Sequence, residues 1–572
     1  MVPMHTIRKP AAPAKVLSVR PVGTAAVLAE LSGLHDVMAL QALLLEEPLP
    51  GQVDVLAAAE TVMVKADSPA AARRMSGLLL DMDLTVRPHA EGKLVQIDTV
   101  YDGEDLAEVG RLTGLGTDGV IAAHSGQVWT VAFAGFAPGF GYMVGENQLL
   151  DVPRRDSPRT AVPAGSVALA GNYSAVYPRK SPGGWQLIGR TAARMWDLGR
   201  EQPALAAPGD RVKFRAVRGT VEVSGNTTEE LGTEELGTEE LVSGQDTRQS
   251  GAAPGVRSGL RILSPGLQSL VQDLGRPGYA RLGVSASGAL DRASLRRANR
   301  IVGNQPSAAV VESVAGGLRV QAVGDQVLAV AGAESALTVL SPSAAGSGAA
   351  ENDGLRTMPA ATAFALLDGE ILTLGVPERG FRSYLAVRGG VEADPVLGSR
   401  STDTMSGLGP PPLASGQVLA AGRATASNVV GAPELQPEFP DAGTTLLDIV
   451  PGPRDDWFDA AALASLCGQD WEVTPRSNRM GMRLSGEPLR RSREGELPSE
   501  GTVAGAIQIP PEGLPVLFLA DHPITGGYPV IGVVVEHQVD VAAQVPIGGH
   551  LRFRIAPGYQ LPSNPSNSSP EK

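Results

Sequence analysis

The sequence predicts a mainly β protein that begins with one small α+β unit. The 572 residues include 69 glycines and 45 prolines with no short period. That composition favours many turns and short strands over long helices. Short apolar runs closed by Gly, Pro, Asn or Asp recur along most of the chain. Helical spacing is confined to a few stretches. At roughly 100–200 residues per domain several domains are expected, and a hydrophobic content of 43% gives each a core to bury.

The α+β unit spans 16–90. VLSVR, AVLAEL, VDVLAA and TVMVKA read as strands, while 35–45 and 69–81 carry helical spacing and good helix formers. Residues 91–222 are strand-rich and punctuated by Gly and Pro, and they close on APGDRVKF, a turn and then a strand. Over 223–258 the repeat TEELGTEELGTEEL has a period of five, which fits neither helix nor strand; it reads as a solvated linker between two blocks. The second block divides into a β domain over 259–435 and a second β domain over 436–558. Helices are expected at 289–302 and 456–467, and loops at 343–356 and 403–435. Both blocks end alike, on AAPGDRVKFRAV and QVPIGGHLRFRI, which suggests that related barrel-like units close them.

Composition narrows the function classes. The net charge is −13, and Glu229, Glu230, Glu234, Glu235, Glu239 and Glu240 of the linker supply six of those charges. No long basic run marks nucleic acid or an anionic membrane as a partner. A single cysteine, Cys467, permits no intramolecular disulfide and no Cys-based zinc site. The uncharged stretch Val128–Gly145 is long enough for a membrane span but too broken by glycine and Pro138 to satisfy its own backbone in lipid. The expected location is the cytoplasm, with no metal. GxxxxGK[ST], HExxH and CxxC are absent, and GVSASG at 283–288 misses the last position of a nucleophile elbow.

Nine of the 23 aromatic residues fall between 129 and 196, on and after the stretch AGFAPGFGYMVG, interleaved with Arg154, Arg155, Arg159, Arg179, Lys180 and Arg190. Rings wall pockets and arginines clamp anions, but rings also build cores. GFAPGFGYM, PRRDSPRTAVPAGSVALAG and YPRKSPGGWQLIGRT resemble the allophanate-hydrolase-subunit-1 family, which includes the B subunit of 5-oxoprolinase and KipI. In the second block, SLVQDLGRPGYARLGVSASGALD, ANRIVGNQPSAAVVES, YLAVRGGVE, LGSRSTD, SNRMGMRLSG and EGTVAGAIQIPPEGLPVLFLADHPITGGYPVIG resemble the companion subunit-2 family, with the C subunit of 5-oxoprolinase and KipA. The resemblance implies cyclophilin-like β-barrel domains in both halves. It implies a fused B/C component that opens 5-oxo-L-proline to L-glutamate with ATP and a separate 5-oxoprolinase protein of the A type. ATP is the implied cofactor of the assembled complex, with none covalently bound. The alternatives are a carboxyltransferase acting on urea or another amide with biotin on a separate carrier, and a histidine-kinase regulator. Homo-oligomerisation stays open. Asn172-Tyr173-Ser174-Ala175 departs from the Gln-Thr-Gly that the family usually carries there.

Opening a planar amide needs oxyanion donors, a proton donor and acceptor, and an anion clamp. Within the resemblance, His124 is the acid/base candidate of block one, against a satisfied structural histidine. Phe136, Phe140 and Tyr142 are expected to wall a pocket shared by both blocks. Arg155 and Arg159 are candidate clamps, and Asn172 and Tyr177 candidate substrate contacts. In block two, Asp273 and Arg276 read as either a site pair or a structural pair. Asn299, Arg400, Asn478 and Arg479 are polar motif positions. Gln508 and Asp521 flank the apolar strand GLPVLFLA, with Asp521 as candidate base against a turn cap.

Overall fold

The computed structural model describes residues 15–85, 92–219, 258–341, 354–425, 428–495 and 497–559. The acidic repeat and residues 343–353 of the loop expected at 343–356 lie outside these residues; Leu355 and Arg356 of that loop instead begin the strand Leu355–Met358.

The N-terminal strands Ser18–Val22, Ala26–Glu30, Gln52–Ala57 and Thr61–Ala66 form an antiparallel sheet in the order first, second, fourth, third. Their period of two splits the sheet into two apolar faces. Val27, Ala29, Val55, Val62 and Val64 pack under helices Leu34–Glu46 and Pro69–Leu80. The second helix starts where expected, with Pro69 after the Ser68 cap, whose Oγ accepts from Ala71 N. The other face, Val22, Ala26, Leu28, Leu56 and Met63, packs on Val450, Phe518, Val530 and Val533 of the last domain. A sheet buried on both sides ties the N-terminal unit to the last domain.

The next unit is a seven-stranded sheet running Gln186–Arg190, Ser166–Ala170, Tyr173–Val176, Gly141–Gly145, Trp129–Ala134, Arg211–Ala216, Leu94–Thr99. The bridge between Val100 and Arg190 brings its edges together as a nearly closed barrel. Residues 444–555 form a fully closed seven-stranded barrel. Between the barrels in sequence, 259–420 builds a six-stranded and a five-stranded sheet around one core that includes Ile262, Val320, Val330 and Leu385. Helix Arg292–Ile301, capped by Asp291 on Ser294 N at 2.8 Å, covers the five-stranded sheet. Ala460–Gly468 also forms as expected. Helices Leu106–Thr113 and Gly116–Gly126 replace expected strand-rich chain, and Glu536–Ala542 is a further helix that the sequence pattern does not announce. GTDGVIAAHSG has too many glycines to mark a helix by propensity; Val120 and His124 are held by burial in the barrel core instead. No described helix is long and apolar enough to cross a membrane.

The two barrels are built to one plan. In each, the first and last strands pair in parallel, Leu94–Thr99 with Arg211–Ala216 and Thr444–Pro451 with His550–Ile555. An ion pair bridges each parallel pair, Arg215 to Asp98 and Arg554 to Asp448. A helix precedes a strand that opens on tryptophan, and the indole donates five residues back, Trp129 to His124 O and Trp471 to Leu466 O, both at 2.9 Å. A register shift falls at the same place, leaving Ile188 and Ile531 unpaired. One contact is inverted in charge. Arg159 of the two-stranded ribbon Arg159–Val162/Ser181–Gly183 beside barrel one pairs with Glu104 and Asp105, whereas Glu500 of the ribbon Glu500–Gly501/Thr525–Gly526 beside barrel two pairs with Arg454. The inversion gives Arg454 a second partner, Glu30 of the N-terminal sheet, at 2.5 Å.

Candidate functional site

The glycines of AGFAPGFG let two backbones lie against each other. Gly139 N donates to Leu282 O at 3.3 Å across the block boundary. Gly283 faces the same loop at φ +85°, and a Cβ there would stand 2.4 Å from Ala137 O. Only glycine satisfies both conditions. Asp54 adds a further clamp, its Oδ2 accepting from Gly278 N at 2.9 Å and Ala280 N at 3.3 Å.

Beside this contact lies a narrow crevice with about 160 Å³ of empty space, lined by Phe136 from block one and by Gly283, Ser285, Asp403, Met405, Ser406, His522 and Ile524 from block two. Its walls stand too close to seat a water molecule. Two buried carboxylates sit at and behind it. Asp521 is saturated. It accepts from Arg479 Nε and Nη2 at 3.0 Å each, from Ser287 Oγ at 2.6 Å, and from Thr404 N and Oγ1 at 2.9 and 2.7 Å. Burial alone would raise its carboxyl, but the Arg479 guanidinium and these donors outweigh burial and hold it below the usual value. Asp403 is also fully buried and has no such cation. Its Oδ1 accepts from Met405 N and Ser406 N at 2.9 Å and its Oδ2 from Ser285 Oγ at 3.0 Å. The nearest guanidinium nitrogen, Arg276 Nη1, is 4.0 Å away and makes no hydrogen bond among the described residues. Burial, and then the Asp521 charge, push Asp403 up. Arg179 of block one feels the Asp403 carboxylate and keeps a buried, unpartnered Nε among the described residues. It occupies the connection of barrel one that corresponds to the one carrying His522 in barrel two. Ser287, between the carboxylates and the glycine turn, is held at φ 52°, a conformation that costs a non-glycine residue of order 1–3 kcal/mol.

Of the residues expected to act, the structure brings Phe136 to the crevice and Asp521, Arg479 and Arg276 just behind it. The others lie elsewhere. His124 is 0% exposed inside barrel one, between Tyr101 Oη at 2.7 Å and Ser174 Oγ at 2.8 Å. Both ring nitrogens are occupied, and it has the place of a satisfied core histidine. Phe140, Tyr142 and Tyr177 pack with Phe133, Tyr173 and Trp185, Phe133 stacked on Tyr142 and the other rings edge to face, on the outer face of barrel one, in one cluster with the N-terminal helices. Arg155 and Arg159 both spend a donor on Asp105 Oδ1, at 2.6 and 2.8 Å, so that carboxylate is the anion they clamp. Asp273 does not pair with Arg276; it organises the 399–401 turn through Ser399 Oγ, Ser401 Oγ and Arg400 N. Asn299 holds Ala308 O and Asn304, Asn478 caps the turn at Met480 N, and Gln508 holds Tyr528 O. Asn172 and Arg400 are both exposed. Among the described residues no group of three or more His, Cys, Asp or Glu side chains is placed to hold a metal.

Asp403, Ser285 and His522 at the crevice, and Ser287 and Arg179 near it, stand outside the set of candidate site residues read from the sequence. Each stands in a motif segment, LGSRSTD, GVSASG, LADHP or YPRKSP. The serines fall in a failed nucleophile-elbow match, and nothing local to Asp403 marks it as buried.

The two buried histidines make a pH prediction. Burial holds the imidazoles neutral, lowering His124 to about 3 and His522 to about 4, against about 6.5 in an unfolded chain. Below that unfolded value the unfolded state binds more protons, so their contribution to stability is present above pH ~6.5 and lost as pH falls toward the folded values. Thermal melts from neutral pH downward should show Tm falling in this window, with a shallower slope in His124→Gln. An unchanged slope would place the acid sensitivity in other groups.

Family models for known domains match both blocks. Residues 17–206 match the carboxyltransferase domain, subdomain C and D, and residues 282–555 match the carboxyltransferase domain, subdomain A and B. The second block is 34% identical over 297 residues to the C subunit of 5-oxoprolinase from Escherichia coli (strain K12), covering 51% of this chain and 90% of that one. The first is 44% identical over 127 residues to the B subunit of 5-oxoprolinase from Escherichia coli O157:H7, covering 22% of this chain and 58% of that protein. Urea amidolyase of Lachancea kluyveri is 31% identical over 328 residues, which are 52% of this chain and 17% of the relative. The crystal structure of TTHA0988 superposes with a TM-score of 0.76 at 32% identity, covering 94% of this chain and 100% of that one. With matches of this length on both sides of the crevice, the chain belongs to the carboxyltransferase-domain family that includes 5-oxoprolinase subunits B and C, and it carries subdomains C and D ahead of A and B on one polypeptide.

Proposed function

We propose that this chain is the fused B/C component of an ATP-dependent 5-oxoprolinase, which with a separate A-type protein converts 5-oxo-L-proline to L-glutamate. The observation that carries the reading is that the two halves resemble two separately encoded subunits and meet at a crevice to which both contribute. Joining them fixes a contact that separate chains must find by diffusion. The linker then needs only to span the ends. ATP would be used in the assembled complex, and the cytoplasm is the compartment that suits such a complex.

Such a component is expected to be inactive alone. The purified chain with 5-oxoproline and ATP should release no glutamate above background, and adding an A-type 5-oxoprolinase protein should start turnover. Robust release by the chain alone, or none after reconstitution, would overturn the reading. The urea amidolyase likeness supports a second reading, a carboxyltransferase supplied by a biotin carrier. It predicts carboxylation of urea when carrier and biotin carboxylase replace the A-type protein.

A further inference from the structure

We propose that Asp403 is the catalytic proton-transfer residue of the crevice between the blocks, acting on the amide of a small lactam. The inference rests on the reading of the chain as a lactam-opening component. Asp403 lines the crevice with Ser285, Ser406 and His522, facing Phe136 of the other block. A carboxyl that trades a proton must be positioned, shielded from water and free of a permanent counter-ion. Asp521 fails the last condition, because Arg479 holds it on both oxygens. Asp403 meets the first two, and its guanidinium neighbour, Arg276, stays at 4.0 Å, beyond hydrogen-bond reach. Two backbone amides fix its Oδ1, a serine hydroxyl touches its Oδ2, and no cation reaches hydrogen-bond distance among the described residues. Its elevated proton affinity, from burial and from the neighbouring Asp521 charge, agrees with that geometry. The strained Ser287 and the unpartnered Arg276 Nη1 and Arg179 Nε gather around the same carboxylates. Such a concentration is typical of sites rather than of cores.

The chemistry balances with one nucleoside triphosphate and two waters as co-reactants: one water's oxygen ends on the carbonyl carbon, the other's accounts for cleavage of the triphosphate to diphosphate and phosphate. Ring opening breaks the lactam C–N bond. The carbonyl carbon gains an oxygen from water, and the ring nitrogen gains a proton. Asp403 gives that proton to the nitrogen and recovers one from the attacking water, so its own state is restored each cycle. Because the crevice walls stand too close to seat a water molecule, a planar ring reaches Asp403 only when the Phe136 side chain moves off the opposite wall.

Asp403→Asn keeps the acceptor for Met405 N and Ser406 N, removes the transferable proton, and leaves Ser285 Oγ to turn and accept from the new amide. In the complex reconstituted with an A-type 5-oxoprolinase protein it should lower kcat by about 10²–10⁴-fold, leave KM within a few-fold and leave Tm nearly unchanged. The wild-type kcat should fall on the alkaline side through a single titration. Asp403→Asn with kcat within about threefold of wild type would overturn the proposal. So would a wild-type profile with no alkaline limb, a reading that stands even if the variant does not fold. If the wild-type assembly carboxylates urea and leaves 5-oxoproline untouched, the functional reading falls and Asp403→Asn is scored on that reaction. Inactivity on both amides overturns both.

Discussion

Arg479→Met is expected to lower stability by about 3–5 kcal/mol, the usual consequence of removing one partner of a buried charge network. Arg479 is buried with both its carboxylate partners, Asp521 and Glu312, and its Nη2 donates to Gly288 O at 2.6 Å. Burial opposes its charge, yet Asp521 and Glu312 together raise its proton affinity. Without the guanidinium, two carboxylates stay buried with no cation on them. The consequence spreads, because Glu312 also accepts from Leu290 N and Tyr384 Oη, and Asp521 from Ser287 and Thr404. Those residues belong to the two-sheet domain, whereas Arg479 and Asp521 belong to the barrel. Urea unfolding should show an earlier midpoint, and the double variant Arg479→Met/Asp521→Asn should recover part of the loss. A single variant as stable as wild type would mean that the network contributes nothing net.

Phe140→Ala is expected to cost about 3–5 kcal/mol of stability through the cavity it leaves, with activity per folded molecule of the reconstituted complex unchanged. Phe140 is 1% exposed and its ring meets Phe136, Tyr142, Tyr177 and Trp185 at centroid distances of 4.8 to 5.5 Å. It fastens barrel one to the N-terminal unit and also borders a small cavity beside Arg281 and Leu282 of the second block, but it does not line the crevice. Phe136, four residues earlier, should behave in the opposite way, with its alanine variant changing activity more than melting temperature. Circular dichroism melts and glutamate release on the same preparations separate the two. Loss of activity in Phe140→Ala without loss of stability would return this ring to the ligand site.

Much of the architecture is legible because it rests on local rules. Alternation in AVLAE and TVMVKA marks strands, Ser68-Pro69 marks a helix start, and the paired endings VKFRA and LRFRI announce two related barrels. The resemblance locates the right segments for the site but not the right residues within them. His124, Tyr177 and Phe140 carry the chemistry of sites, and neighbours distant in sequence bury and satisfy them. Asp403 has the sequence surroundings of a turn residue, which it also is.

By itself the sequence determined the mainly β class, most of the N-terminal strands and helices and the kinship of the two barrels, but not the helices at 106–113, 116–126 and 536–542. Hydrophobic period, capping and turn chemistry act over a few residues and leave their mark in composition. Only the tertiary structure decided which of two buried aspartates is hydrogen-bonded to a guanidinium and which ring of GFAPGFG lines the crevice beside Asp403. Proton affinity depends on burial and on charges brought together from segments far apart: Asp403 and Asp521 are 118 residues distant in sequence and lie at one crevice. No local pattern encodes that distance, because it is set by how two sheets and two barrels pack.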